Sequence, residues 1–158
     1  MAGQLVADST TADYTTDELL ERVGFALICE RGKAALGEGN NSVGDLLPGL
    51  FARHGLLDVQ TFVNDKTFEL VPPYTAPAQQ ALLSALLDAA ASDRPAGVSE
   101  SEAKRYYVAG GGDPDVFQSR WQQRLDEVHE TARQLTGNQL HTAGGGVHYV
   151  VAGQRPGP

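Results

Sequence analysis

Cysteine, isoleucine, tryptophan and methionine each occur once in these 158 residues, as Cys29, Ile28, Trp121 and Met1. One cysteine excludes an internal disulfide framework and a cysteine-based zinc site, and it fits a reducing compartment. Basic charge is also short, with 12 Lys and Arg against 20 Asp and Glu for a net charge of −8. A phosphate-neutralising surface for DNA or RNA is therefore not expected, and nucleic acid is an unfavoured partner. No apolar run approaches the roughly 20 residues of a membrane span, and the N-terminus has no basic n-region. The expectation is a cytoplasmic chain with no membrane partner. His54, His129, His141 and His148 have no ligand-like spacing, so no metal site is expected.

Hydrophobic residues make up 41% of the chain, which argues for a folded domain, and 158 residues allow one sizeable core. Glycine is in excess at 18 residues, six of them in the triplets Gly110 to Gly112 and Gly144 to Gly146. Neither triplet leaves a strand to open a helix as a phosphate loop must. The first reads as a tight turn between helices and the second as an approach to a strand.

Thr15 and Glu18 form a capping box for a first helix, with an apolar stripe of Leu19, Leu20, Val23, Leu27 and optionally Phe25. The pattern fades at Gly37-Glu-Gly-Asn-Asn41, which reads as a polar loop. A short helix through Leu46, Leu47, Leu50 and Phe51 stops at Gly55. A strand follows over Val59 to Val63, with Phe62 suggesting that both faces are partly covered. Beyond Val71-Pro-Pro-Tyr74 come three helical segments. The first holds Leu82, Leu83, Leu86 and Leu87, the second starts at Ser99-Glu-Ser-Glu102, and the third starts at Asp113-Pro114 and ends at Gly137. In the third, Phe117, Trp121, Leu125, Val128, Ala132 and Leu135 lie on one face. Val147 to Ala152 reads as a last strand, too apolar for an edge open to water, and Leu5 to Ala7 could add another.

Asp45-Leu-Leu-Pro-Gly-Leu-Phe-Ala-Arg-His-Gly-Leu-Leu-Asp-Val59 resembles the segment before the sixth strand of class I S-adenosylmethionine-dependent methyltransferases. Gly37-Glu-Gly-Asn-Asn-Ser-Val-Gly44, Leu70-Val-Pro-Pro-Tyr74, Ala109-Gly-Gly-Gly-Asp-Pro114 and Gly144-Gly-Gly-Val-His-Tyr-Val-Val-Ala-Gly153 are similar to a bacterial small-molecule group of that superfamily. The resemblance implies an α/β chain, the helix-rich C-terminal part of a seven-stranded Rossmann-like sheet. Its sixth and seventh strands would pair antiparallel at one edge, with a helical insertion over residues 72–140 between them. Strands one to four, which carry the cofactor site in that family, have no counterpart here, and Gln4-Leu-Val-Ala-Asp8 resembles a remnant of the fifth. Residues 1–158 would then form a partial methyltransferase domain.

The implied activity is methyl transfer from S-adenosylmethionine to a small molecule, with cofactor binding by this chain alone in doubt. Positioning supplies much of the rate in such a transfer, and a base is needed where the acceptor arrives protonated. Glu38, Asn40, Asn41, Arg105, Tyr106 and Tyr107 are the candidate acceptor-binding residues, and His141 is the candidate base. Two alternatives are a non-catalytic helical binding or assembly module, and one half of a split enzyme whose sheet a second chain or copy completes.

Overall fold

A computed structural model describes residues 15–41, 43–63, 68–144 and 149–157. The expected strand at Leu5 to Ala7 and the Val147-His148 start of the last strand lie outside the described residues. Helix α1 spans Thr16–Ala35, and a single 3-10 turn at Gly44–Leu46 leads into α2, Leu47–Arg53. Strands β1, Leu57–Val63, and β2, Phe68–Leu70, precede three helices: α3, Pro77–Ala91, α4, Glu100–Ala109, and α5, Pro114–Thr136. Strands β3, Thr142–Gly144, and β4, Tyr149–Gln154, complete the order.

The helix ends follow from local chemistry. Thr15 and Ser99 accept from the amides of Glu18 and Glu102, whose carboxylates reach back to the cap amides, so α1 and α4 both begin in full capping boxes. Asp113 caps α5 by accepting from the Asp115 amide at 2.9 Å. The α4–α5 turn closes as a Schellman motif: Gly112 N–H reaches Tyr107 C=O, and Gly111 takes the left-handed conformation at φ +88°. The first glycine triplet is thus a helix stop, as its position before Asp113-Pro114 suggested. At the end of α5 the left-handed residue is Asn138, at φ +55°, and Gly137 keeps an ordinary φ of −81°.

The apolar side chains gather into two clusters. Phe25, Ala103, Tyr107, Phe117 and Trp121 join α1, α4 and the first half of α5, with Ile28, Cys29, Val98 and Leu125 packed around them. Leu70, Tyr74 and Leu135 join β2, the following turn and the end of α5, covered by Leu82, Leu83, Leu86 and Leu87 of α3. The buried Tyr74 donates its hydroxyl to Leu140 C=O at 2.9 Å. Helix α5 therefore belongs to both clusters.

The face α1 presents is shifted from the expected one. Phe25, Ile28, Cys29 and Gly32 turn inward, whereas Leu20 is 64% exposed. The cause is a close helix crossing. A Cβ at Gly32 would lie 1.7 Å from the Tyr106 carbonyl oxygen, and one at Gly110 would lie 1.9 Å from that of Ile28. Only glycines allow α1 and α4 to approach this closely, and that approach carries Phe25 fully inward while Leu19, Val23 and Leu27 of the expected stripe stay half-buried.

The strands form two antiparallel two-stranded ladders, β2 with β3 from Phe68↔Gly144 to Leu70↔Thr142, and β1 with β4, whose regular register runs from Gln60↔Ala152 to Val63↔Tyr149. A bulge between Leu57 and Gln60 interrupts it where Asp58 has φ +49°. The architecture is mixed α/β and helix-rich, and among the described residues no sheet exceeds two strands. The partial cover expected on both faces at Phe62 is thin: Phe62, Val63 and Val150 are each more than half exposed, and Tyr149 is 41% exposed. Helix α2 and the 3-10 turn before it pack on the ribbon, with Gly44 against the Tyr149 ring and Phe51 near Gly153, and they leave these side chains largely open to water.

Candidate functional site

The polar loop after α1 and the outer face of α4 meet at one carboxylate. Glu38 receives both Arg105 guanidinium arms, the second at 2.9 Å, and the Tyr106 hydroxyl at 2.8 Å. Arg105 also lies over the Tyr106 ring, 4.9 Å from its centroid. Donation by Arg105 first, then by Tyr106, holds the Glu38 carboxyl down at about 2. The same contacts raise Arg105 and Tyr106, because each loses a favourable bond if Glu38 is uncharged or if its own proton leaves. The group is an ion pair across the α1–α4 crossing, with Arg105 Nη1, Arg105 Nη2 and the Tyr106 hydroxyl all donating to the one carboxylate.

Next to it opens a cleft of about 460 Å³ between α1, α4, α5 and the turn before α4. Phe25, Trp121, Val98 and Ala103 supply its apolar wall, and Glu30, Lys33, Asn41, Glu102, Tyr106 and Arg124 its polar part. Asn41 donates to Glu30 Oε1 at 2.8 Å and accepts from Lys33 Nζ at 3.2 Å, so the loop is tied back onto α1 at the rim. Cys29 also lines the cleft, but burial, with the nearby Glu30 charge second, pushes its thiol up to about 11. Its Sγ lies 3.9 Å from Ala103 C=O. A thiol so protonated near neutral pH is packing material, in keeping with its mid-helix position.

Of the residues singled out in the sequence, Glu38, Arg105 and Tyr106 come together in direct contact. Asn41 joins Tyr106 around the cleft, and Asn40 is exposed in the same loop. Tyr107 is corrected: it is 2% exposed, its ring stacked 5.2 Å from Phe25, so it belongs to the core and not to a binding surface. The reason is the 3.6-residue period, which turns Tyr106 and Tyr107 to different sides of α4. His141 is exposed just before β3 and is not among the residues that line the cleft.

Glu30 and Trp121 were not anticipated as cleft residues. Trp121 sat in a stripe that packing alone explains, and Glu30 belongs to no motif in the sequence. The only available signal was that Glu30 and Lys33 lie one turn apart on the helix that also carries Gly32. Among the described residues no group of three or more His, Cys, Asp or Glu is placed to hold a metal ion, and no helix is long and apolar enough to cross a membrane.

No family model, curated protein or solved structure matches the chain.

Proposed function

We propose that the chain is the acceptor-side, C-terminal portion of an S-adenosylmethionine-dependent methyltransferase that acts on a small molecule. The observation that carries this reading is the β1–β4 ribbon: two antiparallel strands flank the helical segment, and apolar side chains remain open on them at Phe62, Val63 and Val150. A ribbon of two strands is marginal by itself and is stable when further strands or helices cover it. The motif resemblance places these strands at the edge of a larger sheet whose other strands hold the cofactor. The cleft between α1, α4 and α5 would then receive the acceptor, next to Glu38, Arg105 and Tyr106, with the helices excluding water.

Two measurements test the reading. Calorimetric titration of S-adenosylmethionine into this chain is expected to give no binding heat, and micromolar binding would overturn the view that the cofactor site lies elsewhere. The coding region upstream of Met1 is expected to continue in frame with strand-loop-helix patterns and a glycine-rich loop, and the chain so extended is expected to bind the cofactor. A continuation without those patterns would favour the split enzyme or the assembly module.

The same exposed ribbon supports the assembly module as a second reading, because a second copy could cover it. A stable dimer in sedimentation, with β1 and β4 amides protected from exchange, would favour that module.

A further inference from the structure

Arg105 and Tyr106 turn three donors onto one carboxylate, and the donor side of that contact is built more firmly than the acceptor side. Both guanidinium arms and the phenol hydroxyl converge on Glu38 from consecutive positions of α4. The guanidinium is steadied over the Tyr106 ring, 4.9 Å from its centroid, and α4 is set by the close crossing in which the Tyr106 carbonyl faces Gly32. Two parallel guanidinium arms match the two oxygens of a carboxylate, so the donors have the geometry of a carboxylate receptor. Glu38 reaches them through its rotatable side chain alone. Its amide donates to Lys33 C=O at 3.1 Å in the stop of α1, so a turn about χ1 withdraws the carboxylate while the loop backbone stays in place. The Arg105 side chain is 47% exposed and that of Glu38 36%, which lets a dissolved carboxylate reach the same donors. An exposed ion pair is weak, so Glu38 is displaceable. Tyr106 also lines the cleft of about 460 Å³, together with Val98 and Trp121, which puts apolar surface within reach of whatever that carboxylate carries.

We infer that Arg105 and Tyr106 form a receptor for the carboxylate of a small organic acid, which displaces the Glu38 side chain and lays its apolar body into the cleft. Glu38 is the internal stand-in for that acid and its competitor, although its residue type alone marks it as a binding group. The inference names the acceptor class of the proposed transferase and rests on that reading for its biological meaning, but the binding itself is tested without it.

The probe is benzoate, with benzamide as an uncharged molecule of nearly the same shape and acetate as a carboxylate without a ring. Titrations are followed by NMR near neutral pH at constant ionic strength. The Arg105 Nε–H reports on the receptor, and the indole N–H of Trp121, the sole tryptophan, reports on the cleft. Glu38→Ala is expected to bind benzoate about two- to fivefold more tightly than the original chain does, the range an exposed ion pair supplies. Benzamide is expected to bind at least about tenfold more weakly than benzoate, the usual scale for hydrogen bonds to a charged group. Benzoate should move both resonances and acetate only that of Arg105, while Arg105→Ala should remove the preference for benzoate over benzamide. Should Glu38→Ala disturb the fold, Glu38→Gln, equal in length without the charge, is expected to show the same order with a smaller gain. Benzoate affinity that does not rise when Glu38 is replaced, equal affinity for benzoate and benzamide, a Trp121 resonance unmoved by benzoate, or the same shifts with chloride would overturn the inference. Because no probe or readout involves the methyl donor, a failure here is distinct from a failure of the cofactor prediction.

Discussion

Two glycines of the same helix should respond in opposite directions to the same substitution. Both Gly24 and Gly32 lie inside α1, where replacing glycine by alanine ordinarily stabilises by about 0.5–1 kcal/mol through the lost backbone freedom of the unfolded chain. A Cβ on Gly24 meets nothing within 4 Å, so Gly24→Ala should show that gain. For a chain of this size the gain amounts to about 1–4 °C in Tm. At Gly32 the new Cβ would stand 1.7 Å from the Tyr106 carbonyl oxygen. Ordinary C···O contacts lie near 3.3 Å, so α1 and α4 would have to separate by roughly 1.6 Å. Overpacking of this kind costs about 1–3 kcal/mol, more than the propensity gain, and the blocking atom is backbone that no rotamer change can move. Gly32→Ala should therefore lower Tm by several degrees in thermal unfolding followed by circular dichroism. It should also disturb Tyr106 and let Glu38 titrate higher in NMR. Equal or parallel increases in Tm for the two variants would refute the close-crossing argument.

Arg105→Ala should raise the Glu38 midpoint from about 2 further than Tyr106→Phe does, because the guanidinium is the larger cause; carboxyl NMR titration reads both. As the folded carboxyl sits below its ordinary value of 4.5, its contribution to stability is full above that pH and declines as pH falls toward about 2. Being exposed, the pair should shift acid unfolding only slightly. Cys29 should react with iodoacetamide at pH 8 far more slowly in the native chain than in denaturant, since its folded thiol stays protonated up to about 11; equal rates would contradict the burial argument. Phe62→Ser and Val150→Ser, a cross-strand pair more than half exposed, should change the stability of this chain by no more than about 0.5 kcal/mol each in urea unfolding. Larger losses would mean that the ribbon is covered within the chain. Tyr74→Phe should cost about 1 kcal/mol in the same assay through the lost bond to Leu140 C=O.

Features fixed by neighbours in the sequence were legible in it. The Thr15/Glu18 and Ser99/Glu102 capping boxes, the Asp113-Pro114 start and the Gly110–Gly112 stop are local hydrogen-bond chemistry, and they stand in the structure where the residues indicated. The α5 stripe was legible for the same reason, its period being set by the helix. The inward face of α1 was legible only in part, because its centre depends on a glycine meeting another helix 78 positions further along the chain, from Gly32 to Gly110. The short β2–β3 ladder was missed, since three-residue strands carry no period of their own. At the candidate site, residue type was enough to bring out Glu38, Arg105 and Tyr106. Tyr107 next to them has the same chemistry and the opposite orientation, which only the packing of α4 decides. Glu30 was invisible as a cleft residue for a related reason: which charges line a cavity is a property of the folded surroundings.

Helix α5 touches one apolar cluster at Phe117 and Trp121 and the other at Leu135. Between these anchors run about 14 residues and roughly 20 Å of helix. Fraying from either end must first dislodge a buried ring or leucine before it reaches the middle. The amides around Leu125 to Ala132 should therefore be the last in the chain to exchange with solvent, slower than those of β1 and β4 in a two-stranded ribbon. In kinetic terms the helix is the chain's most persistent element, and it is the one on which the wall of the cleft is built.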